Sequence, residues 1–165
     1  MIMDTQQIGI IGKHILIANL TAADLEVAEP IRDHGIDLIV FRDGKKDSKK
    51  GGKFAACPIQ LKTSTEKAFE LYRKYDRFGE LRIVYVWNAK NVWNTEKPSA
   101  QIYCLTYKQA EDLLKAGGHA EKASWKKGNH WVTTRPSEEL KKRLEEYRVK
   151  SPKEWPDRLG LAISP

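Results

Sequence analysis

From Thr5 to Leu20 the apolar residues Ile8, Ile11, Ile15 and Leu16 recur at helical spacing, and Ile10 and Ile17 add a second apolar flank. With Gly9 and Gly12 allowing close approach, this pattern predicts a well-buried helix. Thr21 to Asp24 reads as a turn, and Leu25 to Glu29 as a short alternating strand stopped by Pro30. The run Gly35-Ile36-Asp37-Leu38-Ile39-Val40-Phe41 has the β-branched and aromatic content of a strand buried on both faces, with Asp37 interrupting it. Phe54 to Lys62 predicts the next strand, where Pro58 implies a bulge or an unpaired N–H position.

Thr63-Ser64-Thr65-Glu66 has the form of a capping box, and Ala68, Phe69, Tyr72 and Tyr75 follow at helical spacing, so a helix is expected directly after Lys62. Leu81 to Trp87 is the clearest strand in the chain, and Gln101 to Leu105 predicts another. Thr106-x-x-Gln109 opens a helix that presents Ala110, Leu113 and Leu114 and ends at Gly117-Gly118. Trp125 to Thr134 reads as a surface hairpin, Pro136-Ser137 caps a last helix with Leu140, Leu144 and Tyr147 on one face, and the tail from Ser151 reads as an irregular strap. The expected architecture is α/β: one domain over residues 1–165, with a central mixed β-sheet flanked by helices in the order αβββαβ. Its core spans 5–105, and C-terminal helices and a hairpin occupy 106–165.

Charge adds a partner class. The chain has 29 Lys and Arg against 22 Asp and Glu, a formal charge of +7 that suits an anionic partner such as nucleic acid or an anionic membrane surface. Lys45, Lys46, Lys49, Lys50 and Lys53 crowd a glycine-rich segment between two strands, and Lys126 and Lys127 follow Trp125. All seven are candidate phosphate contacts, and all read equally as solvated surface. Trp125 and Trp131 read as core or corner aromatics rather than base-stacking platforms. The longest apolar runs, such as Ile15 to Ala18, are far below the roughly 20 residues that span a bilayer. The N-terminus lacks a signal peptide's order, so a soluble cytoplasmic protein without membrane insertion is expected. Cys57 and Cys104 lack zinc or disulfide spacing and read as buried free thiols.

The chemistry concentrates on two neighbouring strands. Alternation places Asp37 on one strand face, and Gln60 with Lys62 on one face of the next. Asp37 offers Mg²⁺ or Mn²⁺ a hard anionic oxygen, Gln60 a neutral side-chain oxygen, and Leu61 a backbone carbonyl. Lys62 would orient or deprotonate the attacking water and stabilise charge at a phosphate. Each has a plainer reading: Asp37 as a turn cap or an arginine's partner, Gln60 as an amide bonded at a strand edge, Lys62 as a strand-end lysine reaching solvent.

The stretch Gly35-Ile36-Asp37-Leu38-Ile39-Val40 followed by Ile59-Gln60-Leu61-Lys62-Thr63-Ser64 resembles the PD-(D/E)xK nuclease superfamily. Its Gln-x-Lys form is similar to that of Mrr-type restriction enzymes and junction-resolvase-like enzymes. The resemblance covers roughly residues 5 to 88. It implies a restriction-endonuclease-like core and a metal-dependent DNA endonuclease acting in restriction, repair or junction resolution, for which a homodimer would suit duplex cutting. Related enzymes often carry a glutamate on the first helix a turn after a glycine, whereas Lys13 and His14 follow Gly12 here. Asp33, Glu26 and His14 are the candidates to complete the site. Two other readings stand beside this one: a catalytically inactive nuclease-fold module that binds DNA or a protein partner, and an interaction protein whose basic surface meets an acidic partner.

Overall fold

A computed structural model describes residues 3–32, 34–42, 54–94, 96 and 99–162. Helix α1 (Thr5–Thr21) begins at a capping box. Asp4 Oδ1 accepts the Gln7 main-chain N–H at 2.8 Å, and Gln7 Oε1 accepts the Asp4 N–H at 3.0 Å. Reciprocal capping satisfies two otherwise unpaired donors and stabilises a helix start by about 1 kcal/mol. Ile8, Gly12, Leu16 and Leu20 form the buried stripe.

The strands are β1 (Glu26–Ala28), β2 (Leu38–Arg42), β3 (Ala55–Thr63), β4 (Phe69–Tyr72), β5 (Arg82–Trp87), β6 (Gln101–Thr106), β7 (His130–Thr133) and β8 (Arg148–Val149). Among the described residues, six of them form a mixed sheet in the order β1-β2-β3-β5-β6-β8, and β4 pairs with β7. β1, β2 and β3 make an antiparallel meander, β3 and β5 run parallel, and β6 is antiparallel to both of its neighbours. Pro58 sits opposite Ile39 in an uninterrupted register, so the expected bulge is absent. β2 is fully covered on one face only: Leu38 and Val40 are buried, while Ile39 and Phe41 are half-buried. The strand starts one residue after Asp37.

Each sheet face carries its own apolar layer. On one side Leu38, Val40, Ile59, Val84 and Val86 pack against Leu16 and Leu20 of α1 and Trp155 of α5 (Trp155–Leu159). Gly12 is the point of closest approach: a Cβ there would lie 2.2 Å from Thr63 Oγ1, so a side chain would push α1 off β3. On the other side Ile83, Tyr85 and Leu105 pack against Phe69 and Leu71 of β4 and against helix residues. Those are Leu113 and Leu114 of α2 (Tyr107–Ala116), Trp125 of α3 (Ala123–Lys126), and Leu140 and Leu144 of α4 (Glu138–Leu144). Each such fully buried side chain contributes about 1.5–3 kcal/mol. The protein is thus α/β, a mixed central sheet flanked by helices. Among the described residues no helix is long and apolar enough to cross a membrane.

Three further segments differ from the sequence expectation. The helix expected after Lys62 is instead β4 followed by a 3-10 turn, Arg73–Tyr75. β3 runs on through Thr63, which pairs with Val86 and presses its hydroxyl against Gly12 instead of capping a helix. Phe69 and Leu71 are both fully buried, a period-2 pattern stabilised by pairing with β7. Short apolar runs fit either period, and the available partner strand decides. The segment from Trp125 to Thr134 is no local hairpin: it is α3 and then β7, whose partner β4 lies far back in the chain. Trp125 and Trp131 are buried, in keeping with their structural reading. The tail is not an irregular strap either, since α5 seats a fully buried Trp155. By contrast α2 begins at the expected Thr106–Gln109 capping box, and Ser137 caps α4.

Candidate active site

The β2–β3 ladder sets the geometry. Leu38 pairs with Ile59, so one step on, Asp37 lies opposite Gln60, held by the Asp37 N–H donating to the Ile59 carbonyl at 2.8 Å. Asp37 Oδ2 accepts the Gln60 Nε2 amide at 2.5 Å and the Leu61 main-chain N–H at 2.7 Å. Gln60 Nε2 also lies 3.3 Å from the Leu61 carbonyl oxygen. The amide NH₂ therefore sits between an anionic and a neutral acceptor oxygen, a spot where positive charge is favoured. Gln60 is buried and Asp37 half-buried.

A cavity of about 410 Å³ opens onto this pair, lined by Asp37, Gln60 and Leu61 from the sheet and by Thr5, Gly9 and Lys13 from α1. Lys13 Nζ meets Glu29 Oε2 at 2.7 Å, and Glu29 lines the same cavity. The helix side of the cavity thus presents an ammonium paired to a carboxylate.

Lys62 lies two residues beyond Gln60 on the same strand face, yet it does not line that cavity. Its Nζ turns towards β4, 3.3 Å from Glu70 Oε1, and lies 4.9 Å from the Tyr72 ring centroid and 5.4 Å from that of Tyr75. Burial works to lower the Lys62 pKa, but the Glu70 charge and the Tyr75 hydroxyl outweigh it and hold the group above the ordinary lysine value. Burial pushes the Tyr75 hydroxyl up, Lys62 pulls it down, and the Glu70 and Asp37 carboxylates add to the rise.

No family model, curated protein or solved structure matches this chain. Its own geometry carries the functional argument. Among the described residues no group of three or more His, Cys, Asp or Glu is arranged to hold a metal ion. The ladder instead brings together the Asp37 carboxylate and the Leu61 carbonyl oxygen with the Gln60 NH₂ between them, and only with the Gln60 amide turned over would its oxygen join the other two. Three hard oxygens suit Mg²⁺ or Mn²⁺, with a single negative charge to bind it.

The other candidates are placed less centrally. Glu26 is exposed on β1, and His14 is exposed with Nδ1 2.8 Å from the Ile10 carbonyl oxygen of its own helix, and neither lines the cavity. Asp33, Lys45, Lys46, Lys49, Lys50 and Lys53 lie outside the described residues. Lys126, at the end of α3 and paired with Glu121, and Lys127, on the turn into β7, are exposed, and the His130 ring of β7 stacks on Tyr72 at 5.5 Å. Cys57 and Cys104 are free and buried, and burial pushes their thiols up to about 11 and about 12, which removes them as nucleophiles. Sequence reading missed Glu70, Tyr75 and Glu29. Glu70 and Tyr75 were hidden by the helical reading of their segment, although the alternation Phe69-Glu70-Leu71-Tyr72 also carries the strand signal.

Proposed function

We propose that this chain is a metal-dependent DNA endonuclease with a restriction-endonuclease-like core. The observation that carries the reading is the contact of Asp37 with Gln60 in an open cavity, on the strand face that also bears Lys62. The sequence α1, a three-stranded meander and a fourth strand parallel to the third supports it. The crossover from β3 to β5 by way of β4, in place of a helix, departs from it.

In this reading Asp37, the Gln60 amide oxygen and the Leu61 carbonyl hold Mg²⁺ or Mn²⁺, which supplies Lewis-acid polarisation of the phosphate and a more acidic water. Asp37 is fixed by the Leu61 N–H, so its second oxygen keeps a defined direction. Lys62 orients the attacking water or stabilises charge at the phosphate. The basic surface draws the DNA backbone, and cutting both strands of a duplex takes a second copy of the chain.

The Lys13–Glu29 pair on the cavity wall favours one alternative: a module that binds DNA or a protein partner without cutting. Incubation with linear and supercoiled DNA at low salt, with Mg²⁺, Mn²⁺ or a chelator, separates the two. Metal-dependent scission supports the nuclease, and salt-sensitive binding with no scission under either metal supports the module.

A further inference from the structure

Tyr72 of β4 and His130 of β7 are partners across the antiparallel ladder, and their rings stack with centroids 5.5 Å apart and planes 16° apart. Alternation sets this face. Phe69, Leu71 and Trp131 turn into the apolar layer, so Tyr72 and His130 take the outer side and stay half-buried. Tyr75, itself buried, stands edge-on to Tyr72 at 5.9 Å. Two ammoniums gather over these rings. Lys74 Nζ lies 5.5 Å from the Tyr72 centroid and 5.3 Å from that of Tyr75, and Lys62 Nζ lies 4.9 and 5.4 Å away. Glu70 pairs with Lys62, whereas Lys74 is exposed and, among the described residues, its contacts are the two rings.

A cross-strand ring pair stabilises a sheet wherever it stands. Cations held over half-exposed rings add what a stacked base and its phosphate require: a flat apolar surface with positive charge beside it. The bases of a duplex are stacked on one another, so such a surface fits an unpaired strand. Lys62 stands two residues, about 7 Å, along β3 from Gln60, which sets these rings beside the cleavage site. Resting on the reading of this chain as one that acts on DNA, we propose that Tyr72, His130 and Lys74 form a ledge that binds an unpaired DNA strand. The rings take a base and Lys74 takes the phosphate that follows it.

The test measures fluorescence anisotropy of a labelled thymidine strand of about 12 nucleotides, an abasic strand of the same length and a duplex, at several salt concentrations in the presence of a chelator. Wild-type protein is compared with Tyr72→Leu, His130→Ala and Lys74→Gln, each checked for folding by circular dichroism. Tyr72→Leu and His130→Ala are expected to bind the thymidine strand about tenfold more weakly, with duplex affinity within about twofold of wild type. Lys74→Gln, at an exposed position, should reduce the salt slope for that strand by about 0.7. Wild-type protein should bind the abasic strand about tenfold more weakly than the thymidine strand, a comparison that needs no variant. Equal affinity for the abasic and thymidine strands, or folded variants that bind the thymidine strand as wild type does, would overturn the inference. Equal losses on strand and duplex would overturn it too. Because binding is read without metal, absence of cleavage overturns the nuclease reading and leaves the ledge standing, whereas wild-type protein that binds neither strand nor duplex overturns both.

Discussion

Asp37 and Gln60 face each other across the β2–β3 ladder, and the Gln60 amide bridges Asp37 Oδ2 at 2.5 Å and the Leu61 carbonyl at 3.3 Å. A positively polarised group already occupies the place assigned to a cation. Replacing Gln60 by Glu sets two carboxylates against each other there. Gln60→Glu is expected to lower the melting temperature of metal-free protein, more at pH about 8 than at pH about 5, because protonation relieves the repulsion. Mg²⁺ or Mn²⁺ should restore it, since a second carboxylate raises divalent-metal affinity. Thermal melts with and without metal read this out, and a metal-insensitive Gln60→Glu protein counts against the assigned ligands.

Removing the other partner has a structural cost as well as a functional one. Asp37→Ala leaves the Leu61 N–H without its acceptor and the Gln60 amide with the Leu61 carbonyl at 3.3 Å, a loss of about 1–3 kcal/mol. Urea unfolding should show that decrease with the protein still folded in water. Calorimetric Mn²⁺ binding should disappear in the same variant.

The Lys62 cluster gives a pH dependence with a definite sign. Its folded pKa lies above the ordinary 10.5, so the ammonium's pairing with Glu70 stabilises the protein fully below about pH 10.5 and is lost as pH rises through the folded value. Lys62→Met should remove that part of the alkaline decline in stability. Denaturant midpoints of the two proteins compared from pH about 9 to 12 measure it, and parallel curves would show that the pairing adds nothing.

The seat of α1 on β3 depends on one missing side chain. Gly12→Ala puts a Cβ 2.2 Å from Thr63 Oγ1 and is expected to destabilise by about 1–3 kcal/mol. Thr63→Ala in the same chain should recover part of this, as the hydroxyl and methyl are the nearest atoms while Thr63 Cβ remains at 2.8 Å. Equal stability of the single and double variants in a mutant cycle would show that the clash is relieved elsewhere.

Much of the sheet was legible because its signals are local. The capping box at Thr106, the Ser137 cap, the apolar runs of β2, β3, β5 and β6, and the face shared by Gln60 and Lys62 all follow from neighbouring residues. The crossover was not legible, because Phe69 and Leu71 become a strand only by pairing with β7, some 60 residues later in the chain. With it went Glu70, whose surroundings depend on which face of β4 it occupies, and Tyr75 of the 3-10 turn that follows. The Lys13–Glu29 pair was equally hidden: it joins α1 to the segment after β1, and no sequence spacing announces such a contact. The tail was misread because Pro152 and Pro156 suggest irregular chain, whereas both sit in first-turn positions of short helices, where a missing N–H costs nothing.

The central claim is that Asp37, Gln60 and Lys62 form one phosphodiester-cleaving site. Nicking of supercoiled plasmid by purified wild-type, Asp37→Ala and Lys62→Ala proteins, each shown to be folded, tests it most directly. The account expects Mg²⁺- or Mn²⁺-dependent nicking by the wild-type protein, abolished by a chelator and reduced at least about a hundredfold in both variants. Nicking that persists in the chelator, or in folded Asp37→Ala and Lys62→Ala proteins, would contradict it.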